Sequence, residues 1–210
     1  MWDESGRYCV VYNGEIFNYR ELRRELEQKG ITFRSTGDTE VLLKLYILEK
    51  EQCLEKLSGF FAFCIYDKHE QSLFIARDRY GVKPLLYLFD EDKFIFASEM
   101  KSILHYGIDK TLDYTSLVTF LQLNYIPAPH SIFRDVKKLL PGHSMKVFTR
   151  RIEISKWYEI PFDPNRAASN DLSYEEGTAK FASLLENAVQ RRMIADVPLG
   201  AFLSGGIDSS

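Results

Sequence analysis

Apolar residues recur along this chain with two different periods, and the change of period divides it into elements. Residues 7 to 12, Arg7-Tyr8-Cys9-Val10-Val11-Tyr12, are rich in aromatic and β-branched side chains and predict a strand, which Asn13-Gly14 is expected to break. A helix follows, capped by Asn18 with Glu21 in the capping-box position and ended by Gly30. Tyr19, Leu22 and Leu26 share one face of it, while Arg20, Arg23, Arg24 and Lys29 belong to a solvated one. After Gly37-Asp38 a second helix carries Val41, Leu42, Leu45, Tyr46 and Leu48, a stripe wide enough to predict deep burial. The period then shortens. Phe60 to Tyr66 and Leu73 to Ala76, joined by the polar Asp67 to Gln71, predict a hairpin, and Leu85 to Phe89 with Phe94 to Ala97 predict two more strands.

A short helix through Met100 to Leu104 ends at Gly107, and Asp113 can cap another that runs to Leu123. Pro127, Pro129, Pro141 and Gly142 punctuate a loop-rich passage before a last hairpin, Met145 to Thr149 with Ile152 to Trp157. Helices before and after mainly antiparallel strands predict a layered α+β domain in which helices cover the sheets, over residues 1–160. Pro161 to Asp171 reads as a linker. A Ser173-x-x-Glu176 capping box then opens a helix to about Arg192, and Val197 to Leu203 is a buried-strand candidate that runs into Ser204-Gly205-Gly206-Ile207-Asp208-Ser209-Ser210.

Composition narrows the function classes. The 30 Asp+Glu and 27 Lys+Arg of this 210-residue chain leave a net charge of −3, which argues against nucleic-acid and membrane-surface partners. No apolar run approaches the ~18 residues of a membrane span, and Met1 to Ser5 has no signal-peptide character, so the expected location is cytoplasmic. Cys9, Cys53 and Cys64 are odd in number and lack metal-ligand spacing, which reads as buried thiols rather than a disulfide framework or a zinc site. His69, His105, His130 and His143 are scattered and have no triad or metal spacing.

Four places carry candidate chemistry. A strand leading into Ser204-Gly205-Gly206-Ile207-Asp208-Ser209 suits pyrophosphate, because glycines let backbone N–H groups approach the anion. No Walker lysine is present, which fits a nucleotide cleaved between its α- and β-phosphates. Asn13-Gly14 with Glu15 can present an amide side chain beside a free backbone N–H, two donors for an oxyanion hole, or can be a plain turn. Asp38 can hold a substrate ammonium, cap its helix, or do both. Arg77 to Pro84 can be a binding loop, but mixed charges beside Gly and Pro read more simply as a solvated turn with local ion pairs and no catalytic role.

Six ordered motifs resemble one family: Gly-Arg-Tyr (6 to 8) with Tyr-Asn-Gly-Glu-Ile-Phe-Asn-Tyr-Arg-Glu-Leu-Arg (12 to 23), Gly-Asp-Thr-Glu (37 to 40), Ala-Arg-Asp-Arg-Tyr-Gly-Val-Lys-Pro-Leu (76 to 85), Phe-Ala-Ser-Glu (96 to 99), Leu-Pro-Gly-His (140 to 143) and Pro-Leu-Gly-Ala-Phe-Leu-Ser-Gly-Gly-Ile-Asp-Ser-Ser (198 to 210). Together they are similar to the glutamine-hydrolysing asparagine synthetases of the bacterial B type. The resemblance implies an N-terminal-nucleophile glutaminase domain with an αββα sandwich. After it would come, at residues 172–210, the first helix and strand of an ATP-dependent synthetase domain with an adenine-nucleotide α-hydrolase-like α/β fold. It further implies that Asn13 and Gly14 form the oxyanion hole, that Asn13, Gly14, Glu15 and Asp38 hold glutamine, and that Leu203, Ser204, Gly205, Gly206, Asp208 and Ser209 hold ATP. In such a family ATP and Mg²⁺ activate aspartate as a β-aspartyl adenylate, which ammonia from glutamine converts to asparagine.

Two departures from the family pattern shape the expectation for this polypeptide. An N-terminal nucleophile uses its own α-amine as base, yet the first residue here is Met1, and Cys9 reads as a strand packing residue. The sequence also stops within the pyrophosphate loop, before any Mg²⁺ ligand. The polypeptide is therefore expected to be inactive by itself, with an open sheet edge that would favour a homodimer. The alternatives are a related synthetase acting on another carboxylate, in a β-lactam or polysaccharide pathway, and a glutamine-binding module without a nucleophile.

Overall fold

Alternation along β1 (Tyr8–Ile16) and β2 (Gly59–Asp67) sends every second side chain to one face of a sheet and the rest to the other. The structure is a computed structural model that describes all residues except 91, 150, 166–170, 196 and 208–210. Two units make up the chain, Met1–Ile160 and Pro161–Ser210. In the first, β1 and β2 are joined by β3 (Ser72–Arg77), β7 (His143–Phe148) and β8 (Arg151–Lys156) in the order β1-β2-β3-β7-β8. A second sheet has the order β5-β4-β6, from β4 (Leu86–Phe89), β5 (Phe94–Ala97) and β6 (Lys137–Lys138). The ladders are antiparallel throughout.

On one face of the first sheet Tyr8, Val10 and Ile16 of β1 and Phe61, Phe63 and Ile65 of β2 pack under two helices, α1 (Tyr19–Gln28) through Leu22 and Leu26 and α2 (Asp38–Glu49) through Val41, Leu42 and Leu45. The other face, with Ala62, Cys64, Ile75 and Met145, meets the second sheet at Leu85, Tyr87 and Phe96. Beyond that sheet Leu86 and Leu88 are closed by Ile103 of α4 (Met100–Leu104). The order is helix, sheet, sheet, helix, an αββα sandwich in which each sheet buries both faces. Both predicted hairpins form. So do the helix capped by Asp113, which is α5 (Tyr114–Leu123), and the Ser173–Glu176 capping box of α6 (Tyr174–Arg192). A short helix, α3 (Cys53–Lys56), precedes β2.

Several expectations change. Asn13-Gly14 does not break β1: both residues are paired in the ladder, opposite Ala62 and Phe61. Asn18 stands at the N-cap of α1 without capping it. Its Nδ2 donates to Lys56 O at 2.9 Å and its Oδ1 accepts from Ser58 N–H at 2.9 Å, so the side chain ties the helix start to the start of β2 instead. Leu48 is exposed, because the stripe of α2 is buried only as far as Tyr46. Val197 to Leu203 forms no strand, and Phe202 and Leu203 are exposed. A strand needs a ladder partner, and the described residues of Pro161–Ser210 contain no strand to supply one.

Arg77 and Asp78 are the largest correction. They are buried rather than in a solvated turn, and no ion pair joins them. Arg77 donates to the carbonyls of Gly81 (2.7 Å), Lys83 (2.8 Å) and Leu139 (2.5 Å). The fully buried Asp78 carboxylate accepts from the N–H groups of Phe61 (3.3 Å), Tyr80 (3.0 Å), Val82 (3.1 Å) and Lys83 (3.0 Å). Each charge is neutralised by backbone dipoles, which binds the loop after β3 to β2 and to the Leu139 segment. Replacing Asp78 by Ala leaves these buried N–H groups unpartnered and should lower the unfolding free energy by about 3 kcal/mol or more in urea titrations. A loss below about 1 kcal/mol would contradict this role.

Candidate functional site

The candidate residues gather along the open edge of β1, the side that faces away from β2. Odd residues of β1 direct their backbone groups to β2, as the flanking bonds show: Phe17 N–H to Ser58 O at 2.7 Å and Lys68 N–H to Arg7 O at 2.9 Å. Even residues face away. Tyr8 N–H goes to Asp3 Oδ1 (2.8 Å), Val10 N–H to Met1 O (2.8 Å) and Ile16 N–H to Asp38 Oδ2 (3.0 Å). By the same alternation the Gly14 N–H points out of the sheet at its open edge. Met1 to Asp3 run along the edge beside Tyr8 to Val10, with a bridge between Trp2 and Cys9. Asp38 takes the far end, and the stretch from Tyr12 to Gly14 lies between them as a window.

Residue 14 can only be glycine here. A Cβ on it would lie 2.3 Å from the Phe60 carbonyl oxygen and 2.7 Å from the Phe61 Cα, backbone atoms that cannot yield. The strand register thus demands the glycine, and the glycine leaves its N–H uncovered by any side chain of its own. Asn13 projects from the opposite side of the strand, and its Nδ2 donates one hydrogen to Ser98 Oγ at 2.9 Å, which leaves the second Nδ2 hydrogen for a ligand. Glu15 is exposed on the same face as Asn13.

Asp38 is the first residue of α2, and Gly37 holds the N-cap position, where no side chain caps the helix. The carboxylate turns to β1 instead: Oδ2 accepts from Tyr12 Oη at 2.7 Å and from Ile16 N–H at 3.0 Å. Oδ1 has no hydrogen-bond partner among the described residues. Burial, reinforced by the Asp38 hydrogen bond, raises the Tyr12 phenol far above its ordinary value and keeps it a donor. Two residues on, Glu40 is buried and accepts from Arg34 N–H (2.9 Å), Ser35 N–H (2.6 Å) and Ser35 Oγ (2.6 Å), with Lys44 at 3.3 Å. Burial opposes its charge, but these donors outweigh it and bring its pKa down to about 2.

Tyr12, Glu40 and Ser98 lie within the family motifs, but the sequence assigns none of them a role. Ser98 is 85 residues from its partner, and no local pattern could have joined them. Of the ATP candidates, Leu203, Ser204, Gly205 and Gly206 are exposed and lie in no strand, and Asp208 and Ser209 fall outside the described residues. Nor do the described residues contain a group of three or more His, Cys, Asp or Glu suited to a metal ion, and none of their helices is long and apolar enough to cross a membrane. A cavity of about 520 Å³ lies elsewhere, lined by Trp2, Arg34, Leu43, Lys44 and Ile47 among others, with Arg34 paired to Glu4 and Lys44 to Glu4 and Glu40.

A family model for the glutamine amidotransferase domain matches residues 1–158, and one for asparagine synthase matches residues 180–210. Among curated proteins the chain is 41% identical to asparagine synthetase [glutamine-hydrolyzing] 1 of Bacillus subtilis, over 99% of this chain and 32% of that protein. It is 38% identical to asparagine synthetase [glutamine-hydrolyzing] 3 of the same organism, over 97% of this chain and 33% of that one. The chain therefore spans about a third of the length of these relatives. In fold it is similar to a glutamine phosphoribosylpyrophosphate amidotransferase from B. subtilis, with a TM-score of 0.56 at 19% identity, over 75% of this chain and 31% of that one.

Glu40 gives the region a pH signature. Its folded pKa lies below the unfolded value of 4.5, so the stability it adds is complete above about pH 4.5 and disappears as pH falls toward 2. Glu40→Gln should destabilise the protein by a constant amount between pH 7 and pH 5, with the gap to wild type closing from pH 4.5 downward in urea titrations. A gap that stays constant to pH 3 would contradict the assignment.

Proposed function

Since the chain belongs to the glutamine amidotransferase domain family, we propose that its window at the β1 edge binds glutamine and that it is part of a glutamine-hydrolysing asparagine synthetase. In that reading residues 1–160 are the glutaminase domain, 161–171 the linker and 172–210 the beginning of the synthetase domain, and the enzyme moves the amide nitrogen of glutamine to aspartate with ATP and Mg²⁺. The observation that carries the reading is that one stretch of an edge strand carries an outward Gly14 N–H and a spare Asn13 Nδ2 hydrogen and is bonded to the Asp38 carboxylate, whose other oxygen has no partner among the described residues.

The chemistry of amide hydrolysis accounts for each group. Attack on the side-chain carbonyl carbon of glutamine places negative charge on its oxygen, and two fixed N–H donors, Gly14 and Asn13, stabilise that charge more than the neutral carbonyl. Asp38 Oδ1 pairs with the α-ammonium, which fixes which end of the amino acid faces the donors, and Glu15 stands beside them. The attacking thiol is none of the three cysteines. Each carries a peptide nitrogen where the mechanism needs a free amine, and burial pushes the thiols of Cys53, to about 12, and Cys64, further still, away from the thiolate form. For the synthetase half the support is the match of residues 180–210 to the asparagine synthase family. Leu203 to Gly206, which would hold ATP in that half, are exposed and lie in no strand. Three free thiols suit the reducing cytoplasm.

Calorimetric titration of the protein with L-glutamine tests the reading. Wild type should bind, and Asp38→Ala should weaken binding at least thirtyfold, about 2 kcal/mol, as expected when one member of a desolvated charge pair is removed. Equal affinity in the two proteins would overturn it.

A further inference from the structure

We propose that Tyr12 is the positioning residue that aims Asp38 at the α-ammonium of glutamine. The inference rests on the reading of Asp38 as the ammonium partner and adds to it the group that sets its direction. Tyr12 and Ile16 lie four residues apart on the same side of β1, and both donate to the same carboxylate oxygen, Oδ2, at 2.7 and 3.0 Å. A carboxylate with both donors on one oxygen is pinned on that side and presents the other oxygen, Oδ1, outward. The Ile16 N–H alone is a single contact, about which the carboxylate can swing; the phenol supplies the second point that defines a plane.

The bond crosses from the strand that carries Gly14 to the helix that carries Asp38, so it also sets the spacing between the ammonium partner and the oxyanion donors. A merely structural role would have the hydroxyl tie α2 to β1 and nothing more. The two roles differ in what they do to ligands that share the amide and α-carboxylate but not the ammonium. Glutaramate, which is glutamine without its α-amine, is such a ligand.

The experiment compares L-glutamine and glutaramate by calorimetry on wild type, Tyr12→Phe and Asp38→Asn, with thermal unfolding of each. Tyr12→Phe keeps the ring and its packing, so the fold is retained. A positioning role predicts that it weakens glutamine about tenfold while glutaramate changes less than about twofold. Loss of both ligands in parallel, or no change in glutamine, would overturn the role of Tyr12. Asp38→Asn separates this from the reading underneath: if it leaves glutamine affinity unchanged, the ammonium assignment itself fails, whatever Tyr12→Phe does.

Discussion

The site depends on the close approach of β1 to β2 at Gly14, where the two backbones leave no room for a Cβ. Were the strand to end at residue 12, Asn13 and Gly14 would sit in a turn with their donors facing arbitrary directions. Continuing the ladder through them assigns the directions. Strand alternation turns the Asn13 side chain to one face, where Ser98 Oγ holds its amide, and the Gly14 N–H to the edge, where the ladder alone fixes it. Gly59 on the partner strand obeys the same constraint, since a Cβ there would lie 2.2 Å from the Glu15 carbonyl oxygen. A donor fixed by a sheet costs no reorganisation when charge develops near it, which is the property an oxyanion site needs.

Around that edge the protein uses buried carboxylates as fasteners. Asp78 collects backbone N–H groups from β2 and the loop after β3, Glu40 collects those of Arg34 and Ser35, and Asp67 takes a bidentate pair from Arg7 at 2.9 and 2.7 Å, which holds its carboxyl below the ordinary range. In each case the buried carboxylate is satisfied by donors from a segment next to the sheet and fixes that segment in place. Asp38 has the same chemistry with one difference: only one of its oxygens is occupied. The carboxylate left half satisfied is the one bonded to the strand that carries the proposed oxyanion donors.

Much of this was legible in the sequence because it rests on periodicity and short-range caps. The layered α+β class, both hairpins, the Asp113 cap and the Ser173–Glu176 box follow from apolar spacing and residues within one helical turn. What was not legible depends on partners far along the chain. Asn-Gly is a turn signal locally, and only its pairing with Ala62 and Phe61 makes it strand. Asn18 and Asp38 have the chemistry of caps, yet each finds a partner on another element, Ser58 and Tyr12, that orders more of the protein than a cap would. Arg77-Asp78 looks solvated by charge, whereas seven backbone groups neutralise it. Val197 to Leu203 is apolar enough for a strand, but apolarity without a ladder partner does not make one.

Amide-resolved NMR during a titration with L-glutamine shows whether the ligand enters the edge window from Tyr12 to Gly14, as proposed. Binding at the window should shift the backbone amide of Gly14 and the side-chain amide of Asn13 most, in a saturable manner and with one dissociation constant. Shifts centred on Trp2, Leu43 and Lys44 around the separate cavity, with Gly14 and Asn13 unmoved, would contradict it.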